Sequence, residues 1–459
     1  MSAGAPEVRP RADVLRPGVR PRELWGWAMF DFANSGFTTV VITALFNAYF
    51  VAVLAGGAPW ATFAWTAALA VSHALVVISG PVMGAWADRH GAKKRLLALT
   101  TAGCVLSTAL LALAGPEALW WAVACLVAAT FFFGVGENLI AAFLPEIARP
   151  RALGRVSGWG WGLGYLGGLS TLGLCLAYIA WAEARGLGPP HYVPASLLIT
   201  ASLFALASLP TFLWLRERAA PAGAAASAWG RVGETLRHLR RFPDLSRFLW
   251  CSLFYQAGIQ TVIALAAVYA TQALGFTPRQ ALELVLLVNV TAAVGAFLFG
   301  HLQDLLGHVR AIALILVFWI ATVALAWAAP AYPGVPALFW LAANLAGLGL
   351  GGAQSAGRAL MGVLSPPARR AEFYGFWGLA VKLAAIAGPL SYGLVTWMSG
   401  GDHRRALLLT GAYFVAGLVL LTGVNAARGR RAALRANTQA RETGSPPLYG
   451  RSPCKASPP

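Results

Sequence analysis

Apolar residues in this chain come in long blocks with short polar connectors between them. Twelve blocks stand out: 25–54, 60–87, 96–115, 118–148, 155–182, 190–215, 247–273, 281–304, 309–330, 336–364, 373–399 and 404–426. A helix needs about 20 apolar residues to cross a hydrocarbon core about 30 Å thick. Each block meets or approaches that length, so the pattern predicts twelve transmembrane helices. The connectors are punctuated by Gly and Pro, as turns are. Two polar segments are longer: a linker at 216–246 and a tail at 427–459. The tail ends in SPPLYGRSPCKASPP, a Pro- and Ser-rich composition that predicts disorder. Residues 1–24 form a polar N-terminal tail. The first block is too long for a signal-peptide core and contains Asp31, so it is expected to stay as an uncleaved helix.

Composition agrees. Hydrophobic residues make up 58% and charged residues only 11%, against about a quarter charged in a soluble domain. Mean hydropathy is +0.64. The fold class is therefore an all-α multi-pass membrane protein. The five cysteines, Cys104, Cys125, Cys175, Cys251 and Cys454, show no metal or disulfide spacing. No metal and no cofactor is expected.

The net charge of +18 raises the question of nucleic acid. Its placement answers otherwise. If the helices alternate in direction, 29 of the 35 Lys and Arg lie on one side and four on the other. Such a bias orients membrane proteins, with the basic side in the cytoplasm. Both termini are thus expected in the cytoplasm, and the partner is the lipid bilayer, not nucleic acid. An Ala-, Arg- and Gly-rich composition points to a bacterial inner membrane.

A second pattern organises the helices. Gly84-x3-Asp88-x2-Gly91 returns 216 residues later as Gly300-x3-Asp304-x2-Gly307. Each copy falls between the second and third helix of its half. A duplicated six-helix unit, 25–215 and 247–426, joined by a cytoplasmic linker describes a two-lobed carrier. In the first copy Gly91 can take a positive φ in a tight turn, and Asp88 can pair with Arg89 or face a neighbouring helix N-terminus.

The first copy continues as GAWADRHGAKKR, with Gly84, Asp88, Arg89, Gly91 and Lys93 in place. This stretch resembles the signature loop of the major facilitator superfamily. The resemblance implies two pseudo-symmetric six-helix bundles, alternating access, and a clamp between the lobes at Asp88. The second copy lacks the arginine after Asp304, so its clamp is expected to be weaker. Three further stretches resemble one branch, the autophagy-related vacuolar effluxer-like proteins and their bacterial relatives. They are WAMFDFANSGFTTVV (27–41), FLPEIARPRALGRVSGWGWGLGYLGG (143–168) and GGAQSAGRALMGVLSPPARRAEFYGFWGLAVKLAAIAGP (351–389). That resemblance implies amino-acid efflux. The chain departs from the branch at Gln256-Ala257-Gly258, where Asn-Asp-Gly is usual, and at Gly357-Arg358, where Ser-Arg is usual. The first departure removes an intramembrane acid.

Polar residues inside a membrane span are costly and mark function by default. Asp31, Asn34 and Ser35 share one face of the first helix by i, i+3 and i+4 spacing. Glu137 and Asn138 fall near mid-membrane in helix 4, and Glu137 is the candidate for a proton-coupling acid. Lys382 in helix 11 is expected to pair with Glu137 or with Asp31. Gln354 and Arg358 share a face of helix 10. Arg358 is suited to a substrate carboxylate, or to snorkelling at the helix end. Gln256 and Gln260 share a face of helix 7 and are candidates for hydrogen bonds to a polar solute. Glu146 and Glu372 are expected to pair with nearby arginines. His73 reads as a satisfied core histidine. In helix 5 the spacings 158–162, 160–164 and 164–168 place glycines for close helix approach.

No phosphate-cradling G-x-x-x-x-G-K-[ST], no HExxH and no G-x-S-x-G occurs, so neither a primary pump nor a membrane enzyme is expected. The sequence therefore reads as a monomeric secondary active transporter for a small organic solute, proton-coupled through a buried acid. The alternatives are a transport-inactive sensor or receptor and a drug or metabolite exporter of the same fold.

Overall fold

A computed structural model of the chain describes residues 14–56, 58, 60–115, 118–218, 242–274, 278–329, 337–400 and 402–442. Among these residues the structure is helical, with one isolated β-bridge between Leu15 and Ala148. The helices are α1 (Pro21–Leu54), α2 (Ala61–His90), α3 (Lys93–Leu111), α4 (Leu119–Ile147), α5 (Leu153–Glu183) and α6 (Pro189–Trp214). They continue as α7 (Pro243–Leu274), α8 (Pro278–Leu306), α9 (His308–Ala328), α10 (Ala337–Leu364), α11 (Arg370–Met398) and α12 (His403–Thr422). Each contains or closely matches one expected block. Ten of the twelve are long and apolar enough to cross a membrane by composition alone. The other two, α7 and α10, are diluted by glycines and by polar residues such as Ser252, Gln256, Gln354 and Arg358.

Packing repeats with a period of six helices. Helix α1 packs on α5 and α6, α2 on α4, and α3 on α4 and α6. In the same way α7 packs on α11 and α12, α8 on α10, and α9 on α10 and α12. The two lobes meet along two equivalent seams, α2 with α11 and α5 with α8, and α5 also touches α10. Glycines make these seams close. A Cβ on Gly375 would lie 2.7 Å from Pro81 Cα, and one on Gly84 would collide with the Ala371 carbonyl. On α5, Gly158 and Gly162 face α8, while Gly160, Gly164 and Gly168 face α1. The expected small-residue spacings thus serve two neighbours on two sides of one helix.

Helix α1 is not a regular α-helix throughout. Residues Phe37–Ala44 and Phe50–Leu54 form wider π-turns. The run Thr38, Thr39, Val40, Val41, Ile42 and Thr43 is β-branched, which crowds an α-turn. Its hydroxyls also bond back to the chain: Thr38 and Thr39 Oγ1 donate to Ser35 O, and Thr43 Oγ1 to Thr38 O. Wide turns of this kind occur mostly at functional sites.

The described residues before α1 and after α12 gather with the basic connectors at one end of the bundle, here called the basic end. Lys93 is fully buried there, paired with Glu146 and 5.2 Å from the Phe143 ring centre. Glu146 was expected to pair with an arginine; the lysine of the signature loop takes it instead. Glu217 accepts from the backbone N–H of Lys93 (2.8 Å) and Lys94 (3.1 Å), which caps the start of α3 with a negative charge.

The tail expected to lack structure from 427 does not do so at once. Residues Ala426–Glu442 form a further helix, α13, against the ends of α7 and α10. Ala and Arg are strong helix formers, and Asn425 Oδ1 accepts from Arg428 N to cap the first turn. Arg428 binds Asp244 through Nε (2.8 Å) and Nη2 (2.7 Å). Residues 443–459 and linker residues 219–241 lie outside the described residues.

Candidate functional site

The two Gly-Asp-Gly turns form a matched pair of locks at the basic end. Gly91 ends α2 with φ +58°, and Gly307 follows α8 with φ +89°. Both are left-handed values that glycine adopts without strain. Asp88 Oδ2 accepts from the backbone N–H of Glu372 at 3.0 Å, in the first turn of α11. Asp304 accepts from the backbone N–H of Gly154 (2.9 Å) and Arg155 (3.1 Å), at the start of α5. Each aspartate therefore faces the positive end of a helix in the opposite lobe. The second lock was expected to be weaker for want of an arginine after Asp304. It borrows one across the seam: Arg155 Nε donates to Asp304 Oδ2 at 3.0 Å. Glu372 pairs with Arg369 at 3.0 Å.

Beyond these locks a cavity of about 480 Å³ lies between the lobes. It reaches from the level of Arg358 toward the far end, where Thr43, Leu284, Phe339 and Leu407 line it. Nine of the ten predicted central residues line it: Asp31, Asn34, Ser35, Glu137, Asn138, Gln260, Gln354, Arg358 and Lys382. The tenth, Gln256, does not. It is fully buried behind the wall, and its Nε2 donates to Gln354 Oε1 at 3.0 Å. It contacts Gln354 and not the cavity.

The deepest feature is an ion pair across the lobes. Arg358 on α10 donates Nη1 to Asp31 Oδ2 on α1 at 2.6 Å. It also donates Nε to Ser157 Oγ (3.0 Å) and Nη2 to Ser157 O (2.9 Å) on α5. Its guanidinium centre is 4.7 Å from the Trp27 ring and 5.4 Å from the Trp161 ring. Tyr374 Oη fixes the backbone by donating to Arg358 O at 2.7 Å. The side chain is only 3% exposed, so Arg358 does not snorkel. Gly160 makes room: a Cβ there would run into Asp31 Oδ2 and Arg358 Nη2.

A second pair crosses between α4 and α11. Lys382 Nζ is 3.3 Å from Glu137 Oε2, with side-chain exposures of 14% and 32%. Of the two expected partners for Lys382, Glu137 has it; Asp31 is taken by Arg358. Asn138 lies against α11, where a Cβ on Gly378 would collide with its amide. His73, read from sequence as core, lines the cavity instead. Sequence reasoning also missed Ser157, Trp27, Trp161, Tyr374 and Arg155. Of these, Ser157 and Trp161 lie in the glycine-rich run of α5, whose polar interruptions were a usable signal. Among the described residues no cluster of metal-ligating side chains occurs.

Two six-helix lobes around a central cavity, locked at one end by equivalent loops, define a transporter of the major facilitator superfamily. Solved structures share the fold. A bacterial homologue of the iron transporter ferroportin in an outward-facing state matches with a TM-score of 0.68 at 16% identity, covering 87% of this chain and 98% of that one. The proton:xylose symporter XylE matches with a TM-score of 0.67 at 14% identity, covering 90% of this chain and 97% of that one.

Sequence comparison narrows the class: residues 61–434 match the model of the vacuole effluxer Atg22-like family, and the chain belongs to that family. The MFS-type transporter YxiO of Bacillus subtilis (strain 168) is 28% identical over 412 residues, covering 87% of this chain and 94% of that protein. Autophagy-related protein 22-1 of Aspergillus fumigatus (strain Af293) is 27% identical over 359 residues, covering 70% of this chain. The chain spans about half the length of such fungal relatives, 56% in that case.

Proposed function

We propose that this protein is a secondary active transporter that moves a small organic solute by alternating access. An amino acid is the first substrate class, supported by membership of the effluxer family. The observation that carries the reading is the cavity itself. It is lined by two ion pairs that each span the lobes, and it is closed at the basic end by Asp88 and Asp304. Contacts of that kind break when lobes rock apart, so they belong to a moving part. The same residues would be a poor choice for static packing, where buried charge is costly.

Glu137 is the coupling acid in this reading. It is the carboxylate of the cavity that is both paired and half exposed, so a proton reaches it without dismantling the deeper pair. The basic end is the cytoplasmic end by the Lys and Arg bias, which places both termini in the cytoplasm. A bacterial inner membrane fits the likeness to the Bacillus protein. The protein works as a monomer, since each lobe supplies half of the cavity wall.

The test is counterflow in proteoliposomes preloaded with unlabelled amino acids. Labelled amino acid accumulates with the intact protein and does not with Asp31→Asn. If no amino acid, peptide, nucleoside or sugar exchanges in folded protein, the transporter reading fails.

A further inference from the structure

The cavity contains two cations, and only one of them is available to a ligand. Arg358 already donates through all three guanidinium nitrogens to Asp31 and Ser157 and lies between two indoles. A solute carboxylate cannot take its fork without dismantling a buried contact between three helices. Lys382 differs. Its ammonium carries three donors, and among the described residues one carboxylate meets it, at 3.3 Å. That partner, Glu137, is half exposed to the cavity.

The wall beside Lys382 holds further unmet donors. Asn138 is only 7% exposed, and its Nδ2 has no partner. Thr130 is 4% exposed, and its Oγ1 has none. Both line the cavity: Thr130 is seven residues before Glu137 on the same face of α4, and Asn138, next to Glu137 in the chain, is turned toward α11. The face is held close to α11 by glycines. Lys382 Cε would be 3.4 Å from a Cβ on Gly134, and Gly378 leaves the space that the Asn138 amide fills. A buried donor without an acceptor costs free energy unless a ligand or water supplies one.

We infer that Lys382, with Asn138 and Thr130, is the seat for a carboxylate group of the solute, and that Glu137 occupies the seat until the solute displaces it. The inference rests on the transporter reading above. The exchange keeps Lys382 paired at every stage, which a lone cation in a membrane requires. Glu137 is free to turn into the open cavity, where water receives it. Its charge is then matched either by a cation on the solute or by a proton. The other titratable groups lining the cavity are His73 on α2, Asp31 on α1, Tyr165 on α5, Tyr269 on α7, Arg358 on α10 and Tyr392 on α11.

The experiment is thermal stabilisation of the purified, full-length protein by amino acids, their carboxamides and their N-acetyl derivatives. Free acids stabilise and carboxamides do not. Lys382→Met weakens binding by about tenfold or more, the loss of one charge-assisted contact. Should Lys382→Met fail to fold, Glu137→Gln decides with the N-acetyl acids, which bring no ammonium: it removes the competing carboxylate, so they bind several-fold tighter. Binding of the N-acetyl acids assigns a proton to Glu137, and their failure assigns the solute's ammonium; in both cases the seat is a carboxylate seat. Equal stabilisation by carboxamides, unchanged affinity in Lys382→Met, or weaker binding of the N-acetyl acids in Glu137→Gln overturns the inference and leaves transport standing. Stabilisation by nucleosides or neutral sugars alone does the same. Stabilisation by none of them overturns both.

Discussion

Arg358 and Asp31 are 327 residues apart in the chain and 2.6 Å apart in space, Nη1 to Oδ2, one on each lobe. Removing one partner leaves the other charged and buried, which typically costs about 3–5 kcal/mol. Arg358→Met and Asp31→Asn are each expected to lower thermal stability by that order and to abolish solute exchange. The double variant recovers part of the stability but none of the exchange. Thermal unfolding of the four proteins of the cycle measures this.

Gly160 is the residue that lets this pair exist. An alanine methyl there would occupy the space of Asp31 Oδ2 and Arg358 Nη2. Gly160→Ala is expected to leave a helical, inserted protein whose exchange rate falls at least as far as in Asp31→Asn. Gly173→Ala, where a Cβ meets nothing within 4 Å, is the control that retains exchange.

The two aspartate locks are expected to act together and unequally. Asp304 accepts from two backbone N–H groups and Arg155, and each charge-assisted bond contributes about 1.5–3 kcal/mol. Asp304→Ala and Asp88→Ala should each favour opening at the basic end, and the pair more than either alone. An impermeant thiol reagent added at the basic end reports the change as faster labelling of a cysteine on the cavity wall, Ala385→Cys.

Much of this was legible because a membrane imposes one rule on every span. Twelve apolar blocks became twelve helices, and nine of the ten polar residues singled out inside them line one cavity, since a strongly polar side chain in a span has few other places to go. Partner choice was not legible. Nothing in spacing says that Arg358 meets Asp31 rather than a solute, because that contact joins α1, α5 and α10. Gln256 looked like Gln260 in sequence, yet one is behind the wall and one is in it. Arg155 was counted as an orientation charge, and it is also the arginine that the second lock lacks locally. Helix α13 was missed because the Pro- and Ser-rich end of the tail was taken to describe all of it. The Ala- and Arg-rich start has a cap in Asn425 and a mate in Asp244.

That last contact gives a separate prediction. Gly429 lets α13 lie close, since a Cβ there would be 3.0 Å from Asp244 Cβ. Asp244→Ala should release α13 without touching the cavity. Amide exchange across Ala426–Glu442 is expected to quicken, while that of α10 and α11 stays as it was.

Alternating access is the central claim, and reagent access to the cavity tests it most directly. The four described cysteines, Cys104, Cys125, Cys175 and Cys251, are buried, so with Cys454 replaced by Ser a single cysteine placed at Ala385 on the cavity wall reports alone. With the protein in sealed vesicles, an impermeant maleimide should label Ala385→Cys from the far end and not from the basic end. Adding Asp88→Ala and Asp304→Ala should make the basic end reactive. Equal labelling from both ends in the otherwise unaltered protein would describe a channel and contradict the account.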